Sequence, residues 1–183
     1  MLQRMDNRGL FGCQIVRPPR VIQKLEIGGL FQFQLFSPNG DLITSIRFRN
    51  GITNVGVAHA YDCVFHEGSQ ITDWYIGLID NSGYTALAAA DTMASHAGWN
   101  EFTTYSDATR IAWDEAATAA RTITSSAAAE FSINGSGTVK GAFLVSNSTK
   151  SGTTGVLWST GIFSNPPPVA NGETLKVTYS LTG

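Results

Sequence analysis

At 183 residues, 43% of them hydrophobic, the chain is long enough to bury a core as one domain and too apolar for wholesale disorder. Only 14% of its residues are charged, against about 25% in an ordinary soluble domain. The net charge of −2 is unevenly divided: residues 1–24 hold Arg4, Arg8, Arg17, Arg20 and Lys24 against Asp6 (5 − 1 = +4), leaving −6 on the other 159 residues (183 − 24).

A surface so short of charge is weakly defended against association. It fits a chain packed against copies of itself or within a larger assembly. The basic leader suits an arm that docks on an acidic surface. Its charges are scattered among apolar residues and two prolines rather than clustered, which argues against nucleic acid as the partner. Cys13 and Cys63 are too few for a disulfide framework, and neither lies in a CxxC motif. The N-terminus has no continuous apolar stretch of the kind a secretory signal needs. No apolar run approaches the ~20 residues that cross a bilayer. The expected setting is a cytoplasm with reduced thiols, and no membrane partner is expected.

Residues 1–24, ending in "VRPPRVIQK", are expected to form an extended arm, because Pro18 and Pro19 lack backbone N–H groups and push their neighbours towards extended geometry. The body is expected to be a single unit over residues 25–183. In "LFQFQLF" (Leu30 to Phe36), Phe31, Phe33 and Leu35 fall on one face and Gln32 and Gln34 on the other, the period of a half-buried strand. "SPNGD" supplies a turn, with Gly40 free to take positive φ. "LITSIRFR" follows as a second strand, with Ile46 and Phe48 opposite Arg47 and Arg49. The pair reads as a hairpin.

In "NGITNVGVAHAYDCVFHEG" the period changes. Val57, Tyr61, Val64 and Phe65 fall at i, i+4, i+7 and i+8, one helical face, which predicts a helix over about 53–66. Thr53 or Asn54 can cap its start and Gly68 its end. From residue 73 the pattern is β. "DWYIGLI" is a strand closed by the turn "DNSG" (Asp80 to Gly83). "WNEFTTY" and "TRIAW" are shorter candidates. "ARTITS", "AAEFSIN", "GTVKGAFLVS", "GVLWSTGIF" and "ETLKVTYSLT" complete the series. "INGSGTV" reads as a tight hairpin with Asn134, Gly135 and Gly137 at positive φ. Short strands separated by Gly-rich turns predict a mainly β protein, a jelly-roll-like β-sandwich with one helix and an extended N-terminal arm.

Residue types that carry chemistry are present without a pattern that carries it. Asp91, Ser95, His96 and Glu101 lie within eleven residues. Ser95 and His96 are immediate neighbours whose side chains diverge on a helix, and no GxSxG elbow is present. Asp91 reads instead as the cap of one or two helical turns stopped at Gly98. His59, Cys63 and His66, at i, i+4 and i+7, share a helical face, and the first pair resembles two ligands of a zinc site, but no fourth ligand is indicated nearby unless Asp62, Glu67 or the distant Cys13 swings in. Packing explains them more simply, and no metal is expected. "DNSG" lacks the later ligands of a calcium loop, and no glycine run opens a helix as a phosphate cradle does. Glu101, Asp107, Asp114 and Glu115 offer carboxylates for glycosidic chemistry, but their spacing does not pair them. Trp74, Trp99, Trp113 and Trp158 fall in or beside strands and read as core. No catalytic residue and no cofactor is expected.

Four blocks, "NGITNVGVAHAYDCVF", "WYIGLIDNSGYTALAAADTMASHAGWNEFTTYS", "GAFLVSNSTKSGTTGVLWSTGIF" and "NGETLKVTYSLTG", resemble in their order a group of small virion structural proteins of tailed bacteriophages, over roughly residues 50–183. The resemblance does not extend to the N-terminal arm. It implies a non-catalytic part such as a capsid cement or decoration protein, assembled in the host cytoplasm and held on the capsid exterior. The partners it implies are the major capsid protein and copies of itself, as trimers or alternatively dimers. A rigid sandwich would bridge capsomers. The arm would staple a neighbour, with Phe11, Ile15 and Val16 as apolar contacts and Arg8, Arg17 and Arg20 as charged ones. A tail or fibre component, as adaptor or receptor-binding part, is the alternative. A carbohydrate-active enzyme is the third.

Overall fold

Alternation in the sequence around Phe31 becomes strand β1 (Gly28–Phe36) in the computed structural model, which describes residues 26–183: Phe31, Phe33 and Leu35 are buried, Gln32 and Gln34 only half so. The turn after it closes as its residues require. Gly40 sits at φ 87°, and Ser37 Oγ accepts from the amides of Asn39 and Asp41 at 3.3 and 3.1 Å. Strand β2 (Leu42–Ile52) returns antiparallel, pairing Phe48 with Phe31 and Ile46 with Phe33.

Helix α1 (Asn54–Phe65) begins where a cap stands ready. Thr53 Oγ1 accepts from the Gly56 amide at 3.1 Å and donates to the Leu157 carbonyl. Thr53 is 1% exposed, so this cap also anchors the helix to the sheet. Gly56 lies so close that a Cβ there would collide with the Trp158 backbone. At the other end the left-handed residue is Glu67 (φ 54°), and the Gly68 amide bonds back to the Asp62 carbonyl at 2.8 Å. The helix matches the expected span, and its apolar face stands largely outward. Tyr61, Val64 and Phe65 are 62, 70 and 80% exposed. The reason is the mode of docking: α1 touches the body through its first two turns, where Gly56 is its one buried residue and Ala60 and His59 pack on the core and on Trp74, while Tyr61, Val64 and Phe65 stand clear.

The remaining strands are β3 (Tyr75–Asp80), β4 (Glu101–Phe102), β5 (Ile111–Ala112), β6 (Thr122–Thr124), β7 (Ala129–Ser132), β8 (Gly137–Val145), β9 (Leu157–Ile162), β10 (Pro168–Val169) and β11 (Thr174–Thr182). Hydrogen bonds link them in the order β4-β3-β8-β9-β2-β1-β11-β6, with β5 also on β3, β10 on β8 and β7 on β11. Every pairing is antiparallel. The two ends of this path are its shortest members, β4 with two residues and β6 with three.

The path folds over on itself into a sandwich-like body. Ile76, Leu78 and Leu144 from β3 and β8 share one core with Phe31, Phe131 and Leu175 from β1, β7 and β11. The two halves are tied where Trp113 Nε1 donates to Ser125 Oγ at 2.9 Å and Glu115 bridges to Ser125. A second, smaller core lies on the outer side of β3, β8 and β9. There the loop over residues 81–100 lays Met93 and Trp99 on Ile79, Phe143 and Leu157.

Three strand-level expectations are corrected. "WNEFTTY" and "TRIAW" contribute strands of only two residues each, with isolated bridges from Tyr105 to Ile133 and from Thr109 to Thr149 beside them. "INGSGTV" is not a hairpin: β7 pairs with β11, while β8 pairs with β3, β9 and β10. Asn134, Gly135 and Gly137 do not take positive φ. Gly137 instead makes room for the Phe102 ring and Gly135 for the Thr104 methyl, so these glycines serve close approach rather than a turn.

Candidate interaction surface

The side chains with chemical potential are engaged in holding loops together. In the stretch around Asp91 no helix forms, and the segment is a tight loop with a bridge between Thr92 and Ser95. Asp91 Oδ2 accepts from the Ala88 amide at 2.9 Å and from Trp99 Nε1 at 3.0 Å, so the carboxylate fixes the indole rather than capping a helix. The His96 ring stacks on Trp99 with centroids 4.0 Å apart, and its Nδ1 lies 3.0 Å from the Trp99 carbonyl. Ser95 is exposed and bonds only within its turn, through its backbone. Asp, Ser and His thus form a corner, not a relay. At "DNSG", Asp80 Oδ1 accepts from the Ser82 amide at 2.9 Å and Gly83 takes φ 73°, the geometry of a turn.

Glu101 is bound in a different way. Arg110, 1% exposed, donates from Nε and Nη2 to the two Glu101 oxygens at 3.0 and 2.8 Å. Its other donors reach the carbonyls of Asn147 at 2.8 Å and Gly152 at 3.0 Å, while Glu101 also accepts the Ser151 amide at 2.8 Å. The pair staples the loop after β8 to β4 and the chain before β5. Beside it, Lys150 Nζ donates to the Tyr105 carbonyl at 2.9 Å and stands 3.7 Å from the Tyr105 ring centroid. Burial lowers the Lys150 pKa from the ordinary amine range. Burial, reinforced by the Glu101 charge, pushes the Tyr105 phenol up. Asp107, Asp114 and Glu115 are exposed and do not join Glu101 in a cleft.

On α1, Cys63 Sγ lies 3.4 Å from His59 Nε2, but His66 turns to solvent and faces Asp62 at 3.8 Å. Among the described residues no three His, Cys, Asp or Glu side chains gather as metal ligands. Cys13 lies outside the described residues. So do the contact candidates Arg8, Phe11, Ile15, Val16, Arg17 and Arg20. Of the tryptophans, Trp99, Trp113 and Trp158 are core and Trp74 is half-buried against Trp158 at 6.0 Å.

A groove of mixed character, about 670 Å³ and lined by Glu26, Ile27, Leu30, Arg49, Ser180 and Thr182, lies beside the start of β1. A second, more apolar groove of about 460 Å³ runs between β2 and α1, lined by Ile27, Asn50, Gly51, Ile52, Val57, Ala60, Tyr61 and Trp158. It continues onto the exposed ridge of Tyr61, Val64 and Phe65, where Tyr61 and Phe65 stand 6.3 Å apart. Large apolar side chains bare on one helix face form the kind of patch through which proteins associate. The helical period found these residues. It gave no sign that they face outward, because amphipathicity specifies a stripe and not what covers it. The Arg110 clamp carried no periodic signal at all. No helix among the described residues is long and apolar enough to cross a membrane. No protein-family model, curated protein or solved structure matches the chain.

Proposed function

We propose that the protein is a structural component that grips other polypeptides, in the place its sequence resemblance points to: a cement or decoration protein on the exterior of a phage capsid, bridging capsomers. The observation that carries the gripping role is the bare apolar ridge of Tyr61, Val64 and Phe65 on a well-tied β body. The bonding of Asp91, His96 and Glu101 into the scaffold supports a mechanical role over a chemical one. In this reading the ridge seats on a capsid subunit. The segment with Arg8, Phe11, Ile15, Val16, Arg17 and Arg20 reaches a neighbouring subunit or a second copy. Binding to the closed shell and not to free subunits favours the shell by mass action.

The test is binding of purified protein to shells that lack it, with copy number and location read by electron microscopy. Phe65→Glu is expected to weaken binding by about thirtyfold, the ~2 kcal/mol of a buried aromatic anchor. Unchanged binding by that variant removes the ridge from the interface. A few copies confined to the tail replaces cement with the tail reading.

A further inference from the structure

We infer that in the unassembled protein the α1 ridge is covered in cis by residues 10–24 of the same chain, and that assembly transfers this segment to a neighbour. The inference rests on the gripping role for its purpose, but its geometry stands on observations about the chain's exit, length, composition and charge. The exit comes first. Ile27 lines the groove together with Tyr61, so the chain before Glu26 starts at the groove's mouth. Reach is ample: 25 residues precede Glu26, and the 12 residues of α1 extend only ~18 Å, about six residues of extended chain.

The composition is complementary. Phe11, Ile15, Val16, Val21 and Ile22 supply apolar side chains for a surface whose bare residues are Ile27, Tyr61, Val64 and Phe65. Charge points the same way. From Gly51 to Thr109 the sequence contains no lysine or arginine, while Asp62, Glu67 and Asp73 lie on or just beyond α1. The last turn of α1 carries no basic side chain, so its terminal carbonyls lack a cation from the helix itself. Residues 10–24, at +3 through Arg17, Arg20 and Lys24, supply what this face lacks.

A second copy offers the same chemistry, but a tether starting at Ile27 presents its own segment at an effective concentration in the millimolar range or above. Cis cover therefore wins in dilute solution. On a shell a capsid subunit competes for the ridge, and the displaced segment reaches a neighbouring subunit or copy. The ridge would then be hidden before assembly and exposed where partners are present.

The experiment uses the purified full-length protein with no shells, so its failure leaves the capsid-binding test untouched. Hydrogen exchange should show the amides of residues 10–24 slowed at least about tenfold relative to free peptide. About hundredfold dilution should not change that protection. The double variant Val64→Glu/Phe65→Glu should abolish it while β1, β8 and β11 stay protected, because both side chains project away from the body. Unprotected wild-type amides, or protection that survives the double variant, overturn the proposal. Protection that is lost on dilution names a second copy as the occupant and overturns it equally. Cys13 and Cys63 give a second readout: a short bismaleimide should link them within one chain, and a link between chains, or none, overturns the cis arrangement.

Discussion

Replacing Arg110 with leucine is expected to be among the most damaging single changes in the body. The guanidinium has no exposed surface, and the Glu101 side chain is only 6% exposed. Arg110→Leu removes four hydrogen bonds at 2.8 to 3.0 Å at once. It strands the carbonyls of Asn147 and Gly152, and leaves the Glu101 carboxylate with the Ser151 amide alone. Removing one partner of a buried pair costs about 3–5 kcal/mol, because the other charge stays desolvated. For a body of this size that corresponds to a fall in Tm of roughly 6–20 °C. Urea titration at neutral pH measures the loss directly. The companion variant Glu101→Met/Arg110→Leu should regain about 2 kcal/mol of it, since no uncompensated charge remains. A loss under ~1 kcal/mol for the single change, the range of an exposed pair, would refute the argument. So would a double variant no better than the single.

Thr53→Ala should lower stability by about 1–2 kcal/mol through loss of the cap to Gly56 and of the bond to Leu157, with hydrogen exchange rising first in the opening turn of α1. Tyr105 is held by burial with its phenol pKa raised above the ordinary value near 10, so the folded state keeps a proton that the unfolded chain releases there. That contribution is fully present below about pH 10 and is lost as pH rises beyond it. Tyr105→Phe should therefore flatten the alkaline fall in urea midpoint while Tyr179, raised by burial in the same direction, keeps part of it. At pH 7 the change should stay within ~1 kcal/mol, because the Tyr105 hydroxyl is buried without a protein hydrogen-bond partner.

The parts of the fold legible in the sequence are those set by local physics. Period two in Phe31, Phe33 and Leu35 reports one buried face whatever strand lies alongside. Gly40 and Thr53 act within a few residues of themselves. What the sequence hid depends on partners far along the chain. Gly135 and Gly137 look like turn residues, yet they are small because Thr104 and Phe102 press on them. Asp91 looks like a cap until the indole of Trp99 comes within 3.0 Å. Glu101 and Arg110 are nine residues apart with no periodic relation, and only the folded loops bring their forks together. The helix was legible and its orientation was not, because contacts of Thr53, Gly56 and Ala60 with residues far along the chain decide which end of α1 touches the sheet.

The brevity of β4 and β6, which close the hydrogen-bonded path at two and three residues, has a bearing on crowding. A molecule with so few ions on its outside has little mutual repulsion to keep one copy's ladder from extending into the next. Stubby margins offer too few unpaired amides for such templating, so runaway fibre growth is blocked by shape where electrostatics is thin. Margin-to-margin pairing between bodies is disfavoured on this ground.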